Sequence, residues 1–379
     1  MSNPITNYIQ ILRSFNRNIQ LYLITIGVLG FTFEGGIYAV LFNIYLLRLG
    51  YGPEFIGLVN GVGPLVFAVS SLFATVLGNR WGNRRLMVLG YTMMTLGLGL
   101  IPMVEFLPAA WQVEWLLTTY ALNLLGLSWY FVNAMPFLMA TASDETRDHV
   151  FSMQIAALFL SGFLGSLFAG WLPGFFANYL GLTLESAVPY RYSLFVSMFL
   201  MLPAIFILLA VKEPPNSPSD QVEPKLAGPV KDLTLTKAAA FPMVVILMLT
   251  LVRFLQMSGA TTITAFFNVY LDDALQVSTF RIGILSALGR LIAVPMALMT
   301  PLVIARWGYE RVIIWVSYGI FVCLLPLALV PHWGAAGLGL IGVSAINSIR
   351  ISTIIIFTLA LAPRRLHTFT SGLGEMAAG

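Results

Sequence analysis

The sequence contains few of the residues that build most soluble active sites. Its single cysteine, Cys323, excludes an intramolecular disulfide and a cysteine-based metal cluster. The three histidines, His149, His332 and His367, lie far apart in the sequence, which does not favour a histidine-built metal site. Charged residues make up 9% of the 379 residues, against about 25% in a soluble domain. We therefore expect neither a soluble enzyme nor binding to nucleic acid.

The chain contains long apolar segments with few charged residues. Hydrophobic residues make up 58% of the chain, and the mean hydropathy is +0.87. A helix that crosses a bilayer needs about 20 mostly apolar residues, and in lipid such a helix satisfies its own backbone hydrogen bonds. The runs predict an all-α polytopic membrane protein with about ten full transmembrane helices, here called spans one to ten. Their expected limits are 19–47, 54–77, 86–107, 111–140, 149–176, 190–211, 241–271, 279–305, 311–331 and 336–362.

The basic residues are distributed unequally between the two sides of this topology. Fourteen of the twenty fall on the side of the N-terminus, and three fall on the other side. The positive-inside rule then predicts a cytoplasmic N-terminus in the plasma membrane. The fourteen are Arg13, Arg17, Arg80, Arg84, Arg85, Arg147, Lys212, Lys225, Lys231, Lys237, Arg306, Arg311, Arg364 and Arg365, and the three are Arg48, Arg191 and Arg281.

The central loop divides the chain into two membrane parts. Residues 212–240 hold every lysine of the protein and five prolines, a composition typical of a flexible linker. We predict an N-terminal six-helix bundle over 1–211, a cytoplasmic linker over 212–240 and a C-terminal bundle over 241–379.

The two parts resemble each other in sequence. Phe42-Asn43-Ile44-Tyr45-Leu46 recurs as Phe267-Asn268-Val269-Tyr270-Leu271, at an offset of 225 residues. Arg80-Trp81-Gly82 with Arg85 recurs as Arg306-Trp307-Gly308 with Arg311, at an offset of 226. Six spans separate the copies, so the repeats run in parallel topology, as in one large class of secondary transporter.

The loop between spans two and three resembles the signature of the major facilitator superfamily, G-x-x-x-D-R-x-G-R-R. Position, loop length, central glycine and basic cluster match, whereas Thr75 and Asn79 replace the first glycine and the aspartate. The resemblance covers essentially the whole chain and implies that this loop helps to hold one transport conformation. The alternative is a positive-inside turn without a gating role. The implied gating residues are Asn79, Arg80, Gly82, Arg84 and Arg85, with Arg306, Gly308 and Arg311 in the second repeat.

Span five is similar to the antiporter motif of the same family, G-x-x-x-G-P-x-x-G-G. The chain has Ser161, Gly165, Ser166, Ala169 and Gly170 at the corresponding positions. The match favours proton-coupled efflux. The alternative is ordinary packing, because small residues at helical spacing let helices approach closely.

Four ionisable residues lie deep inside predicted spans, near mid-span, where a charge costs at least about 2.5–3.5 kcal/mol. Glu34 is the acid, flanked by two glycines in span one, and Arg253, Arg290 and Arg350 are the bases. Glu34 is a candidate for proton coupling, for pairing with Arg253 or Arg350, or for substrate contact. The expected excess of positive charge favours an anionic or zwitterionic substrate. Span eight is not usually cavity-lining in the family, so we expect Arg290 to reach a backbone carbonyl or the membrane surface.

Polar and aromatic residues complete the candidate site. In the family, spans one, four, seven and ten line the central cavity. The predicted substrate and coupling residues are Glu34, Tyr38, Asn43, Trp129, Asn133, Arg253, Gln256, Asn268, Asn347 and Arg350. The alternative for each amide or aromatic residue is helix packing or an interfacial position.

The sequence favours a secondary transporter that moves a small organic solute by alternating access, most simply as proton-coupled efflux. Uptake of an organic anion by symport is the alternative, and a non-transporting sensor or scaffold is a third possibility. Enzyme motifs are lacking. We expect a monomer in the lipid bilayer with no cofactor other than a proton or ion gradient.

The length of the second repeat points to an incomplete bundle. His367 and Phe369 repeat His149 and Phe151, which open span five. The chain would then stop within the first turns of span eleven. We expect two parallel six-helix repeats of which the second is incomplete. A fragment is the favoured reason, and a split or frameshifted gene product and a natural ten-span form are the alternatives.

Overall fold

The computed structural model describes residues 15–142, 147–212 and 266–361, with residues 251, 259, 262 and 263. Some side chains inside these ranges, those of Thr75 and Asn79 among them, are outside the description. The described residues are almost entirely helical, and eight stretches are long and apolar enough to cross a bilayer. The expectation of an all-α membrane fold is confirmed.

The observed helices follow the apolar runs closely. Span six, predicted at 190–211, is Val188–Ala210, and span eight, predicted at 279–305, is Thr279–Trp307. The end of span seven is helical at 266–269 and closes in a π-helical turn at Tyr270–Ala274. Span one consists of Arg17–Thr32 and Ile37–Arg48, and the remaining spans are Pro53–Trp81, Asn83–Leu100 with a 3₁₀ turn at Ile101–Phe106, Ala109–Thr141, Arg147–Leu180, Tyr309–Leu329 and Trp333–Leu361.

Local sequence signals set several helix ends. Asn16 caps span one, because its side-chain oxygen accepts a hydrogen bond of 2.9 Å from the Ile19 amide. Pro53 opens span two at a position where no backbone N–H is needed. Gly82 and Gly308, at φ of 92° and 74°, make the tight turns that follow spans two and eight. These glycines are equivalent in the sequence repeat, and they make equivalent turns in the structure.

The turns define two sides of the bundle. Arg80, Arg85, Arg306 and Arg311 are exposed at one end, which we call the arginine-rich side. Arg48, Arg191 and Arg281 lie at the other end, which we call the opposite side. In the first half, span one packs on spans five and six, and span four packs on spans two and three. In the described part of the second half, span ten packs on spans eight and nine, and span five joins the halves along span eight.

Span one is interrupted at 33–36, whereas its sequence predicts a continuous helix. The amides of Phe33 and Glu34 both bond the Leu29 carbonyl, and Gly35 then adopts a φ of 91° that disfavours any residue with a Cβ. The Ser166 hydroxyl of span five donates a 2.6 Å hydrogen bond to the Gly35 carbonyl. This bond replaces a helical partner, so the backbone at the break remains satisfied inside the membrane.

Candidate functional site

A cavity of about 420 Å³ lies between the two halves at the level of the break. One wall consists of Glu34, Tyr38 and Asn43 of span one, and the other consists of Arg290 of span eight and Asn347 of span ten. Tyr120 of span four and Asn268 of span seven also line it. The cavity therefore joins polar groups from both repeats at mid-membrane depth, where transporters of this architecture bind solutes.

The two cavity-lining charges have opposite sign and come from different halves. Glu34 has an exposed side chain although it lies deep in the bundle, because it faces the cavity. Arg290 is the charged neighbour that acts on it. The Arg290 guanidinium lies directly against Gly35, where a Cβ would overlap it. The sequence placed Arg290 at a backbone carbonyl or the membrane surface, and that expectation is corrected because Arg290 lines the cavity. Pairing of Glu34 with Arg253 stays a prediction, since Arg253 lies outside the described residues.

The reason for this correction is the break in span one. At Gly35, inside the break, the Arg290 guanidinium occupies the space that a Cβ would take. Gly162 of span five also leaves room, since the Cδ of Arg290 lies 3.6 Å from the position a Cβ would take there. The sequence showed that Arg290 is a charged residue inside a span. The direction of its side chain depends on how span eight packs against the first half, which the sequence does not show.

Four of the predicted substrate residues join Glu34 at the cavity: Tyr38, Asn43, Asn268 and Asn347. Arg350 is buried in span ten but is outside the cavity lining. Arg253 and Gln256 lie outside the described residues.

Trp129 and Asn133 of span four pack within the first half and do not line the cavity. The Cβ of Trp129 lies against Gly90 of span three. The Asn133 side chain donates hydrogen bonds to the carbonyls of Trp129, at 2.9 Å, and Ala74, at 3.4 Å. Both residues therefore follow the alternative of helix packing, because their side chains point to spans two and three.

The halves meet in a seam above the cavity, toward the opposite side, and an ion pair closes its outer end. Arg48 of span one contacts both carboxylate oxygens of Asp272, with Nη1–Oδ2 at 2.7 Å and Nη2–Oδ1 at 2.9 Å. Its Nε donates to the Leu184 carbonyl at 2.8 Å. Burial raises the pKa of the Asp272 carboxyl, and the charge of Arg48 opposes that rise. No motif in the sequence pointed to this pair. The repeat aligns Arg48 with Asp273, which is the neighbour of Asp272.

Neutral contacts continue the seam toward the cavity. Asn268 donates to the carbonyls of Ala39, at 3.2 Å, and Val40, at 3.1 Å. The hydroxyls of Tyr190 and Thr279 share a hydrogen bond of 3.1 Å between spans six and eight.

A glycine contact between spans five and eight brings the halves close. A Cβ on Gly283 would lie 2.7 Å from the Cα of Gly170. The contacts that join described residues of the two halves, namely Arg48–Asp272, Tyr190–Thr279 and those of Asn268, lie from the cavity toward the opposite side. This conformation is therefore held closed on the opposite side.

The predicted gating loop is a tight turn with mostly solvent-facing arginines. Arg80 and Arg85 are exposed, and a guanidinium nitrogen of Arg84 donates to the Leu209 carbonyl at the end of span six. Arg306 and Arg311 are exposed at the equivalent turn around Gly308. The side chain of Asn79 lies outside the described residues, so its gating role stays a prediction.

The small residues of span five pack at the centre of the protein. The Ser161 hydroxyl bonds its own helix, at the Ala157 and Leu158 carbonyls, whereas Ser166 bonds the break in span one. Gly165 faces the break, and Gly170 faces the second half. Close packing is thus one role of this segment.

Two parallel helical halves around a mid-membrane cavity are the architecture of a membrane transporter. The sequence model of the Major Facilitator Superfamily matches residues 24–379, so the chain belongs to that family. A search of curated protein sequences gave no significant match.

Solved transporter structures share the fold. The inward-open xylose transporter XylE from E. coli is 13% identical, with a TM-score of 0.69 over 94% of this chain and 86% of that one. A bacterial homologue of the human lysosomal transporter Spinster, inward-facing and unoccupied, is 16% identical, with a TM-score of 0.70 over 100% and 80%. The nucleoside transporter NupG is 14% identical, with a TM-score of 0.64 over 96% and 89%. At these identities the likeness concerns the fold alone.

Proposed function

We propose that the protein is a secondary active transporter that binds a small organic solute in the cavity between its halves and couples its movement to protons through Glu34. The observation that carries this proposal is the position of Glu34, an acid exposed to a mid-membrane cavity at a break in span one. A charge retained at such depth is costly unless it serves transport. The solute site comprises Glu34, Tyr38, Asn43, Asn268, Asn347 and Arg290.

The orientation follows the basic residues. With the arginine-rich side in the cytoplasm of a plasma membrane, the closed seam faces outward and the cavity belongs to an inward-facing state. Alternating access would then open the seam and close the arginine-rich side. We expect a monomer, because each half contributes residues to one cavity within the same chain.

Efflux is the direction favoured by the similarity of span five to the antiporter motif. In an antiport cycle, a solute that leaves the cavity would be replaced by a proton on Glu34. Uptake of an organic anion together with a proton is the second candidate, and a specific observation favours it: Arg290 also lines the cavity.

The experiment begins with a thermal-stability screen of amphipathic cations against organic anions. Compounds that stabilise the protein are then tested for flux into proteoliposomes with and without a pH gradient. We expect the flux of a stabilising solute to follow the gradient in the natural protein and to become independent of it in Glu34→Gln. Full proton-coupled flux in Glu34→Gln would remove Glu34 from the coupling role. No solute flux under any gradient would contradict transport.

A further inference from the structure

Arg290 is placed in the cavity wall by glycines of two other spans. Gly35 of span one leaves space for the guanidinium, and Gly162 of span five leaves space for the methylenes. Span eight supplies the arginine itself. Three helices therefore shape the position of one cation at mid-membrane depth.

The guanidinium has no partner that satisfies it. Among the residues that the structure describes, no hydrogen bond and no ion pair within 4.0 Å holds Arg290, and its Nε is buried without an acceptor. Glu34 acts on it as a nearby charge but is not in ion-pair contact. An unsatisfied buried donor costs free energy, so it indicates a ligand or a function at that position.

Two further polar atoms at the cavity are also buried without a hydrogen-bond partner among the described residues. Within the described ranges, the Asn347 side-chain oxygen and the Tyr38 hydroxyl are buried without hydrogen-bond partners. Beside them, Tyr38, Phe42 and Tyr120 form a stack with ring separations of 4.7 and 5.1 Å. The site thus combines a guanidinium, a hydroxyl and an amide with an aromatic wall.

This combination fits a small organic acid. A guanidinium presents paired N–H donors that match a carboxylate, and such hydrogen bonds are strong in a site of low dielectric constant. We propose that Arg290 is the anion-binding group of the cavity and holds the carboxylate of a small aromatic or apolar acid, with Glu34 as the internal group that competes with that anion. The transport meaning of this site rests on the proposed function, whereas the binding does not.

Competition links the anion to a proton. An ionised Glu34 attracts Arg290 and repels an incoming carboxylate, whereas a protonated Glu34 does neither. Anion binding is then tighter when Glu34 is protonated, and the reciprocal effect follows from linkage. In the described part of the chain, the titratable groups that face Glu34 are Arg290 from span eight and Tyr120 from span four, with Tyr38 on its own span.

The test uses three probes of nearly equal shape: benzoate, benzamide and benzamidinium. Binding is measured on the full chain in lipid nanodiscs by calorimetry over a pH series. We expect benzoate to bind more tightly as the pH falls, and the neutral and cationic probes to bind at least about tenfold more weakly. Tighter binding of benzamidinium, or no binding of benzoate, would overturn the proposal.

Variants separate the two charges. Arg290→Gln should weaken benzoate binding about tenfold or more, and Arg290→Lys should recover only part of it, because an ammonium lacks the fork. Glu34→Gln should bind benzoate at least as tightly as the natural protein and lose the pH dependence. The matched control is Arg281→Gln on the same span, where the guanidinium packs 5.4 Å from the centre of the Trp333 ring, away from the cavity.

If Arg290→Gln binds benzoate as well as Arg281→Gln does, the proposal is wrong. If Arg290→Gln does not fold, the pH dependence and its loss in Glu34→Gln still decide it. This test does not depend on flux. Benzoate binding without any solute transport would contradict the proposed function and leave this inference standing. Coupled transport of a cation with no benzoate binding would sink this inference alone.

Discussion

The seam and the cavity both lie between the two halves, but they differ in whether their polar groups have partners. In the seam, Arg48 contacts both oxygens of Asp272, and Asn268 bonds two carbonyls of span one. In the cavity, atoms of Arg290, Asn347 and Tyr38 are buried without hydrogen-bond partners among the described residues. Polar groups that contact each other across the seam stabilise one conformation, whereas buried donors and acceptors without a partner at a cavity are available to a ligand. Variants of the seam should therefore shift the conformational equilibrium, and variants of the cavity should change binding.

The largest expected effect destroys the cavity and leaves the seam intact. Gly35→Ala places a methyl group where the Arg290 guanidinium lies and strains a backbone at φ 91°. We expect a loss of about 3 kcal/mol in stability together with loss of benzoate binding. Thermal unfolding and calorimetry measure the two effects.

Gly50→Ala is the control for Gly35→Ala. Gly50 has nearly the same φ, 90°, but nothing lies within 4 Å of a Cβ there. The Gly50→Ala variant should lose stability through backbone strain alone and should still bind benzoate. Equal losses of benzoate binding in the two variants would mean that the space beside Gly35 does not position Arg290.

The second effect breaks the outer end of the seam. Arg48→Gln leaves Asp272 partly buried without its cation, so the state closed on the opposite side should lose about 2 kcal/mol relative to the open state. Spin labels at Leu182→Cys and Asp273→Cys, in a Cys323→Ser background, should report a larger population of long distances.

Arg191→Gln is the matched control for the seam. The Arg191–Glu105 pair has a separation of 2.9 Å and a similarly shielded arginine, but both residues belong to the first half. Its loss should lower the melting temperature without changing the distances across the seam. A distance shift as large as that of Arg48→Gln would remove the distinction between the two pairs.

The third effect tests the inner part of the seam. Asn268→Ala removes two hydrogen bonds to span one, and we expect the closed state to lose about 1 kcal/mol. Asn123→Ala removes a comparable buried bond, to the Met94 carbonyl within the first half. Only the first variant should change the label distances, and the opposite result would place the conformational control elsewhere.

The smallest effect concerns a single hydroxyl pair. Tyr190→Phe keeps the ring and removes the 3.1 Å bond to Thr279, so the closed state should lose about 0.6 kcal/mol. The same labels should show a shift smaller than that of Asn268→Ala. A shift larger than that of Arg48→Gln would contradict the ranking of the seam contacts.

Much of the fold could be predicted because apolar runs are long and local. Hydropathy placed spans six and eight within two residues of their observed limits. The break in span one could not be predicted in this way, because Gly35 takes its conformation from Ser166 and Arg290, which are distant in sequence. A run of residues 19–47 has the hydropathy of a helix whether or not it is continuous.

The site was predictable in kind but not in its pairing. The cost of a buried charge pointed to Glu34, and the repeat contains Asn43 and Asn268, and all three residues line the cavity. Which charge lies near Glu34 depends on the rotation of span eight against span one, which no local pattern fixes. Glu34 aligns with Gly259 and Arg290 with Pro64, so the repeat itself gave no sign that the two charges meet.

The most direct test of the account compares the two sides of the protein in the same sample. One pair of spin labels is placed across the seam at Leu182→Cys and Asp273→Cys, and another is placed at the arginine-rich side at Trp81→Cys and Trp307→Cys. Distances are measured in nanodiscs with and without benzoate at two pH values. We expect short distances across the seam and long ones on the arginine-rich side, with populations that shift in opposite directions when anion and proton bind. Distances that stay fixed under all conditions, or that change together, would contradict alternating access around this cavity.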